Sequence, residues 1–574
     1  MRIIDECKHF TAKNPGRFYH IIGCVFLACG CLLRVCAPLS VPAGLNQDEA
    51  ATGYEAFLLA FYGVNKMGHP WPVYPSTFGS GGGSPLMIYL NVLATKLFGP
   101  SPAILRLICS VAGCFTLVLF SLFVARLVTE VHRKASTPAA FCIASAVLAL
   151  MPWHIILSRW SKEPNMVPFW EILATVLLLI ALQSGRTAHF VLAAAFHALC
   201  LYAYGAANIV IPLHLLLTLP YSLYHKRIRP LQLLWSGIAF VVVLIPLIAY
   251  YAVNYLGFPE LITPCFSLEK LTFNRLNTVF IFSSDNVGSR LVRNIGILIK
   301  NLTIGFEDGD ITSYMPGYAT MYRYTFPITL LGMFLAVRSL IRKHVGEKQF
   351  SCLILPCSLF AASALYSLTI EQTISRDIFL YLPLTFFLVY GTLWLCMNRK
   401  KVFFAAACVF LIGSTFFIRD YFRHYNDLDM VPLRFYNGLT EAIAHAGELN
   451  VDGTIYITKL NINSPDMMAL YAVRPDPDTF SSTVVYDERE LEFVTIKAFD
   501  RYIMGIPKEI ETSGFDETLF RQDAFVIHSY ESHLFPENWQ SQSYGDYVVI
   551  SPRSLNRISK SLTFTVRAIP HPPG

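Results

Sequence analysis

Four groups of ionisable side chains stand out from a chain otherwise poor in charge. Asn46-Gln47-Asp48-Glu49-Ala50 sets two adjacent carboxylates directly after an apolar stretch, and Pro152-Trp153-His154 with Ser158-Arg159-Trp160-Ser161-Lys162-Glu163-Pro164-Asn165 crowds charged and amide groups into one short turn. Glu307-Asp308-Gly309-Asp310 places carboxylates around a glycine, and Arg376-Asp377 closes the set. A carboxylate can take the proton of a hydroxyl, and an arginine can hold a phosphate through two parallel hydrogen bonds. Each group also has an ordinary reading: Asp48 as a helix cap, Trp153 and Trp160 as interfacial anchors, Asp308-Gly309 as a turn, Arg376 as a snorkelling end of a span. Anchoring does not account for Glu163, and paired carboxylates such as those at 307–310 are also able to hold a divalent cation. Two carboxylates beside apolar surface are costly unless they meet water, a cation or a substrate.

The elements that must carry these groups are membrane helices. Of 574 residues, 54% are hydrophobic and only 15% charged, too little charge to solvate a globule of this size. The formal charge of +6 comes from lysines and arginines scattered in short clusters between apolar runs, with no basic stripe, which argues against a nucleic-acid partner. The first apolar segment, His20 to Pro38, lacks a small-residue cleavage pattern and reads as an anchor. The 14 cysteines stop at Cys408, so whatever folds beyond that point uses no disulfide.

Segments of roughly 20 mostly apolar residues recur about eleven times between His20 and Ile418. Basic residues mark every second connection: Arg126, Arg133 and Lys134; Arg186; Lys226, Arg227 and Arg229; Arg342, Lys343 and Lys348; Arg399, Lys400 and Lys401. With Arg2, Lys8, Lys13 and Arg17, they predict a cytoplasmic N-terminus and an extracytoplasmic segment after Arg419. Pro85 to Phe98 is too short to span and carries Lys96, so it reads, with Glu49 to Tyr62, as an interfacial helix of the first external loop. The fold class expected is therefore an α-helical polytopic membrane protein, residues 1–418, followed by a small extracytoplasmic α/β domain, residues 419–574. Strands are expected at Thr454 to Thr458, Tyr502 to Gly505, Ala524 to His528 and Tyr547 to Ser551, with a helix over Leu433 to Leu449. On this topology all four charged groups face one compartment. Ionisable residues within spans are few, chiefly Arg34, Glu171 and His197, which suits surface chemistry better than transport.

The first loops resemble the C-type glycosyltransferases, the superfamily of protein O-mannosyltransferases and lipid A aminoarabinose transferases, and most of all its bacterial branch. The resemblance rests on Asp48-Glu49, Gly68-His69-Pro70-Trp71-Pro72-Val73-Tyr74, Ser84-Pro85-Leu86 and Phe98-Gly99-Pro100-Ser101 leading to Arg106. It continues through Pro152-Trp153-His154, Ser158-Arg159, Glu163-Pro164-Asn165 and Tyr202-Ala203-Tyr204-Gly205. Two departures stand beside it: Thr373-Ile374-Ser375 precedes Arg376 where an Asn-rich segment is often found, and no Trp-Trp-Asp-type tripeptide follows Arg419, unlike oligosaccharyltransferase catalytic subunits. The resemblance implies transfer of a sugar from a polyprenyl-phosphate carrier to a protein, lipid or cell-wall acceptor at the extracytoplasmic face, with inversion. No cofactor is required by that chemistry, although a divalent cation fits it. It casts Asp48 as base with Glu49 its companion, and Arg159 and Arg376 as phosphate ligands; His69, His154, Glu163, Asn165 and Tyr204 are further site candidates. A flippase of lipid-linked sugars and a noncatalytic assembly partner are the alternatives.

Overall fold

The computed structural model describes residues 15–78, 83–131, 137–273, 279–283, 286–342, 350–449, 453–487 and 493–552. The basic positions Arg2, Lys8, Lys13, Arg133, Lys134, Lys343 and Lys348 lie outside them. Eight described helices are long and apolar enough to cross a membrane: Gly16–Val35, Pro102–Thr129, Glu163–Ser184, Ala207–Tyr224, Pro230–Tyr255, Arg323–Arg342, Ile378–Asn398 and Lys400–Asp427. The chain is thus a multi-pass membrane protein. Three further expected spans are shorter helices, Thr137–Ala149, Thr187–Cys200 and Ile354–Thr369. The first of these stops early because Pro152 cannot donate a backbone hydrogen bond; it opens a separate short helix, Pro152–Leu157, which carries the loop motif.

Helix Ile378–Asn398 is the centre of the bundle, with 89% of its most apolar stretch buried against 11% for Lys400–Asp427 at the edge. A helix apolar all round belongs inside. It meets Phe326–Arg342 backbone to backbone: a Cβ at Gly332 would strike the Phe387 carbonyl oxygen, and one at Gly391 the Ile328 carbonyl oxygen. Such close approach of small residues is how membrane helices pack without a hydrophobic driving force.

Outside the bundle a hairpin, β1 (Leu261–Ile262) and β2 (Ser267–Leu268), precedes seven strands in one sheet. These are β3 (Ile455–Ile457), β4 (Val485–Tyr486), β5 (Ile496–Phe499), β6 (Tyr502–Met504), β7 (Ala524–His528), β8 (Gln540–Tyr544) and β9 (Tyr547–Ser551), in the order β4-β5-β6-β3-β7-β9-β8. Only β6-β3-β7 run parallel. The expected strands are all present, and β7 and β9 are buried at every position. The helix expected from Leu433 begins at Leu439, because Tyr436 first forms a bridge to Leu45 and Gly438 turns through the left-handed region at φ 87°.

Helix Gln47–Tyr62, expected on the membrane surface, is instead largely buried in protein. Leu45, Ala50, Ala51, Tyr54 and Leu58 belong to the same apolar core as Ile443, Ile455, Leu470 and Val526 of the sheet domain. The helix is therefore held between that domain and the bundle. Gly53 makes the contact possible, since a Cβ there would sit 2.5 Å from the Tyr471 ring and 2.8 Å from Leu105. Gly53→Val should cost about 1–3 kcal/mol by overpacking, measured as a lower thermal midpoint of the purified protein in detergent. An unchanged midpoint would show that the helix docks more loosely.

Candidate functional site

The site is built on one buried ion pair. Arg106, in the second turn of its span, donates from Nε and Nη2 to the two Glu49 carboxylate oxygens, both at 2.8 Å, and both side chains are fully buried. The same guanidinium binds the carbonyls of Pro38 (2.9 Å), Pro42 (2.6 Å) and Gly44 (2.6 Å). Glu49 in turn accepts the backbone N–H of Ser161 at 2.8 Å and of Asn46 at 3.1 Å. A buried charge is tolerable only when paired and fully hydrogen-bonded, and this pair satisfies both conditions while fastening three stretches of chain together.

Two expectations are corrected here. The helix cap is Asn46, which accepts from Asp48 N at 2.8 Å and forms a capping box with Glu49; Asp48 is not the cap. Glu49 is spent on Arg106, Ser161 and Asn46 and is no free companion carboxylate. One helical step turns roughly 100°, so while Glu49 points inward its neighbour Asp48 is half-exposed.

Arg159 likewise departs from its expected role. Nε donates to Val41 O (2.9 Å), Nη1 to Leu33 O (2.7 Å) and Cys36 O (3.1 Å), and Nη2 to Ala37 O (2.9 Å). Its guanidinium lies 4.7 Å from the Phe422 ring centroid, and the residue is 0% exposed. It solvates the chain end after the first span and offers no face to a phosphate. His154 accepts from Arg34 Nη2 at 2.6 Å and is buried. His69 meets Glu269 at 3.1 Å, a hydrogen bond that raises its pKa, in a separate cluster with Asn65 and Ser76. Glu163 accepts Ser84 N at 2.6 Å, Asn165 donates to Trp160 O at 3.0 Å, and Tyr204 is half-buried near Tyr74 and Tyr366. These are supports of the loops.

The charged groups that do converge come from separate stretches. Asp310 lies 3.7 Å from Lys162 Nζ and 3.8 Å from Arg434 Nε. The Arg434 carbonyl accepts from Asn46 Nδ2 at 2.8 Å, which draws that arginine to the Asp48 loop. Asp308 accepts Ile374 N at 2.8 Å and Asp310 N at 3.0 Å, so the 307–310 turn is laced to the segment bearing Arg376. Arg376 rests against Glu371, at 2.9 Å from its carbonyl and 3.5 Å from its carboxylate, with its side chain 20% exposed. The result is a rim in which Lys162, Asp310 and Arg434 are in charge contact, with Asp308 on the same turn, Asp48 on the loop that Asn46 ties to Arg434, and Arg376 on the segment that Asp308 ties in. Sequence reasoning missed Arg434: it stands in no motif, and its only signal is its place just past the last span. Among the described residues no group of three or more His, Cys, Asp or Glu is arranged to hold a metal ion.

No protein-family model matches the sequence, and no curated protein does either. Solved structures do. ArnT from Cupriavidus metallidurans aligns at 12% identity and a TM-score of 0.51 in its form bound to undecaprenyl phosphate, covering 93% of this chain and 98% of that one. Its apo form gives 12% and 0.50, covering 92% and 97%. The chain is folded like ArnT. The Archaeoglobus fulgidus oligosaccharyltransferase aligns at 14% identity and a TM-score of 0.44 over 79% of this chain, which spans 63% of the length of that protein. At these identities the likeness to ArnT is one of fold, and it extends over the bundle and the sheet domain together.

Two measurements test the electrostatics of this ArnT-like arrangement. Glu49→Gln leaves Arg106 charged and buried without its partner, so it should lower stability by about 3–5 kcal/mol, whereas Asp48→Asn should leave the thermal midpoint near that of the parent. Equal midpoints for the two variants would refute the division of labour. Asp377 is buried, accepting from Ser367 at 2.6 Å, and burial pushes its carboxyl up to about 7. An unfolded aspartate titrates near about 4. Proton uptake by the folded form therefore stabilises it at low pH, and that contribution is lost as pH rises from about 4 through about 7. Asp377→Asn should be more stable than the parent at alkaline pH, with the gain fading toward pH ~4; a gain that does not vary with pH would count against this cause.

Proposed function

We propose that this protein is a C-type glycosyltransferase that moves a sugar from a polyprenyl-phosphate carrier to an acceptor hydroxyl at the extracytoplasmic face of the membrane. The observation that carries the reading is a half-exposed carboxylate, Asp48, on a loop that Asn46 ties to Arg434, whose side chain shares Asp310 with Lys162, while Asp308 of the same turn holds the segment bearing Arg376. The ArnT-like fold supports it.

The chemistry follows from the leaving group. A phosphate is already a weak base, so protonating it gains little and neutralising its charge gains much. One carboxylate suffices to accept the acceptor's proton, and Asp48 has that role. Arg376 holds the phosphate; the second cation, assigned to Arg159 on sequence grounds, passes to Lys162 and Arg434. Displacement in one step inverts the anomeric carbon. The N-terminus is cytoplasmic and the site faces outward, in accord with the basic connections. The loop pair Asp308 and Asp310 sets the cations in place and adds the one donor set on the rim that a divalent cation would share.

A transport reading would draw instead on the bundle interior, where Glu171 is buried with neither carboxylate oxygen hydrogen-bonded among the described residues and His197 stacks on His214 at 5.8 Å. Sugar transfer by the purified protein from a polyprenyl-phosphate sugar separates the two. In that assay Asp48→Asn should lose 10²- to 10⁴-fold in rate with normal membrane insertion. Arg376→Ala and Arg434→Ala should each lose roughly 2.7–4 kcal/mol of transition-state stabilisation, seen in donor dependence or turnover, with Arg→Lys restoring part. Arg159→Ala should instead lower the yield of folded protein. Near-parental turnover of Asp48→Asn, or a defect confined to acceptor affinity in the arginine variants, would overturn these roles.

A further inference from the structure

Helix Val287–Thr303 divides its side chains three ways. Asn294 is buried, and its amide donates to the carbonyls of Leu368 (3.1 Å) and Ile370 (2.8 Å), the exit of the apolar helix Ile354–Thr369. Ile297 and Leu298 pack on the bundle core beside it. A second flank, with residues three and four apart, carries Val292, Ile295 and Ile299, exposed at 69%, 42% and 54%. A third flank carries Arg290, Arg293 and Lys300, all exposed, and Arg293 lies 3.8 Å from Glu371, the residue that also meets Arg376.

The level of the helix is fixed by Asn294. Because it satisfies the last carbonyls of an apolar bundle helix, the helix meets the bundle at the height where that helix ends. At that height one flank offers aliphatic side chains and another offers cations, the division expected of a helix seated in a bilayer surface. The hairpin β1–β2 also exposes apolar side chains, Leu261, Ile262 and Phe266, at 46%, 46% and 40%.

We infer that helix Val287–Thr303 is a membrane-surface helix that sinks Val292, Ile295 and Ile299 into the leaflet on the side of the site and holds the phosphates of anionic bilayer lipids on Arg290, Arg293 and Lys300. Its cationic flank borders the rim of the site through Arg293 and Glu371. The occupant is the bilayer itself: the apolar flank matches acyl chains, and the cations sit where anionic headgroups lie.

The test uses the full chain in bilayers of phosphatidylcholine with or without phosphatidylglycerol. Tryptophan placed by Val292→Trp, Ile295→Trp or Ile299→Trp should add fluorescence that brominated lipid quenches and acrylamide does not, whereas Ser289→Trp should behave in the opposite way. Quenching of the first three by acrylamide, or by neither agent, would overturn the seating, the second outcome meaning that protein covers the flank. The parent should retain phosphatidylglycerol over phosphatidylcholine in native mass spectra, and Arg290→Gln with Lys300→Gln should cut that retention several-fold. Equal retention by parent and double variant would overturn the lipid-phosphate assignment. Neither arm depends on sugar transfer, so both read independently of the proposed enzymatic function.

Discussion

The Glu49–Arg106 pair is the interaction on which the rest of the site depends. Neither charge could be buried alone, and together they still require neighbours: three carbonyls for the guanidinium and two backbone N–H groups for the carboxylate. Those neighbours come from the chain after the first span and from the turn at Ser161, and Arg106 itself belongs to the helix Pro102–Thr129. Meeting the hydrogen-bonding demand of one ion pair thus fixes the path of all three stretches, and Asp48 is presented outward because Glu49 is drawn in.

Arginine has a second use here that is easily mistaken for catalysis. The chain from Cys36 to Gly44 has left the helix Pro15–Val35, so its carbonyls and those of the last helical turn have no partner in the helical ladder. Arg106 and Arg159 supply those partners, and Arg34 binds the carbonyls of Gly30 and Leu148 in the same way. Five donors in a planar fork make arginine suited to gathering several carbonyls at once. The rim cations differ in that they face one another's counter-charges across partly exposed space.

This distinction explains how far the sequence could be read. The bundle was legible because hydrophobic length is a direct physical demand of the bilayer, and β7 and β9 because their apolar runs allow no exposed placement. β8, Gln-Ser-Gln-Ser-Tyr, was not, since an exposed edge strand needs no apolar pattern. Within the site, residue type identified Asp48-Glu49 and Arg159 as unusual without saying which would be turned inward; that depends on helical phase and on partners more than a hundred residues away in the case of Arg159. Arg434 was illegible because its placement follows from the bridge between Leu45 and Tyr436, a long-range contact with no local signature.

The shared core of helix Gln47–Tyr62 and the sheet domain has a consequence for the order in which the protein is made. Leu45, Ala50, Tyr54 and Leu58 emerge early in synthesis, while their partners Ile443, Ile455, Leu470 and Val526 emerge only after every span has been inserted. Throughout that interval helix Gln47–Tyr62 lacks the sheet domain that covers one side of it, and the closing contacts span some four hundred residues. Chain closure over such a distance is slow. Until then the contacts with the bundle, Leu105 of the same core among them, are what position this helix, and the last domain to be made completes the environment of one of the first helices.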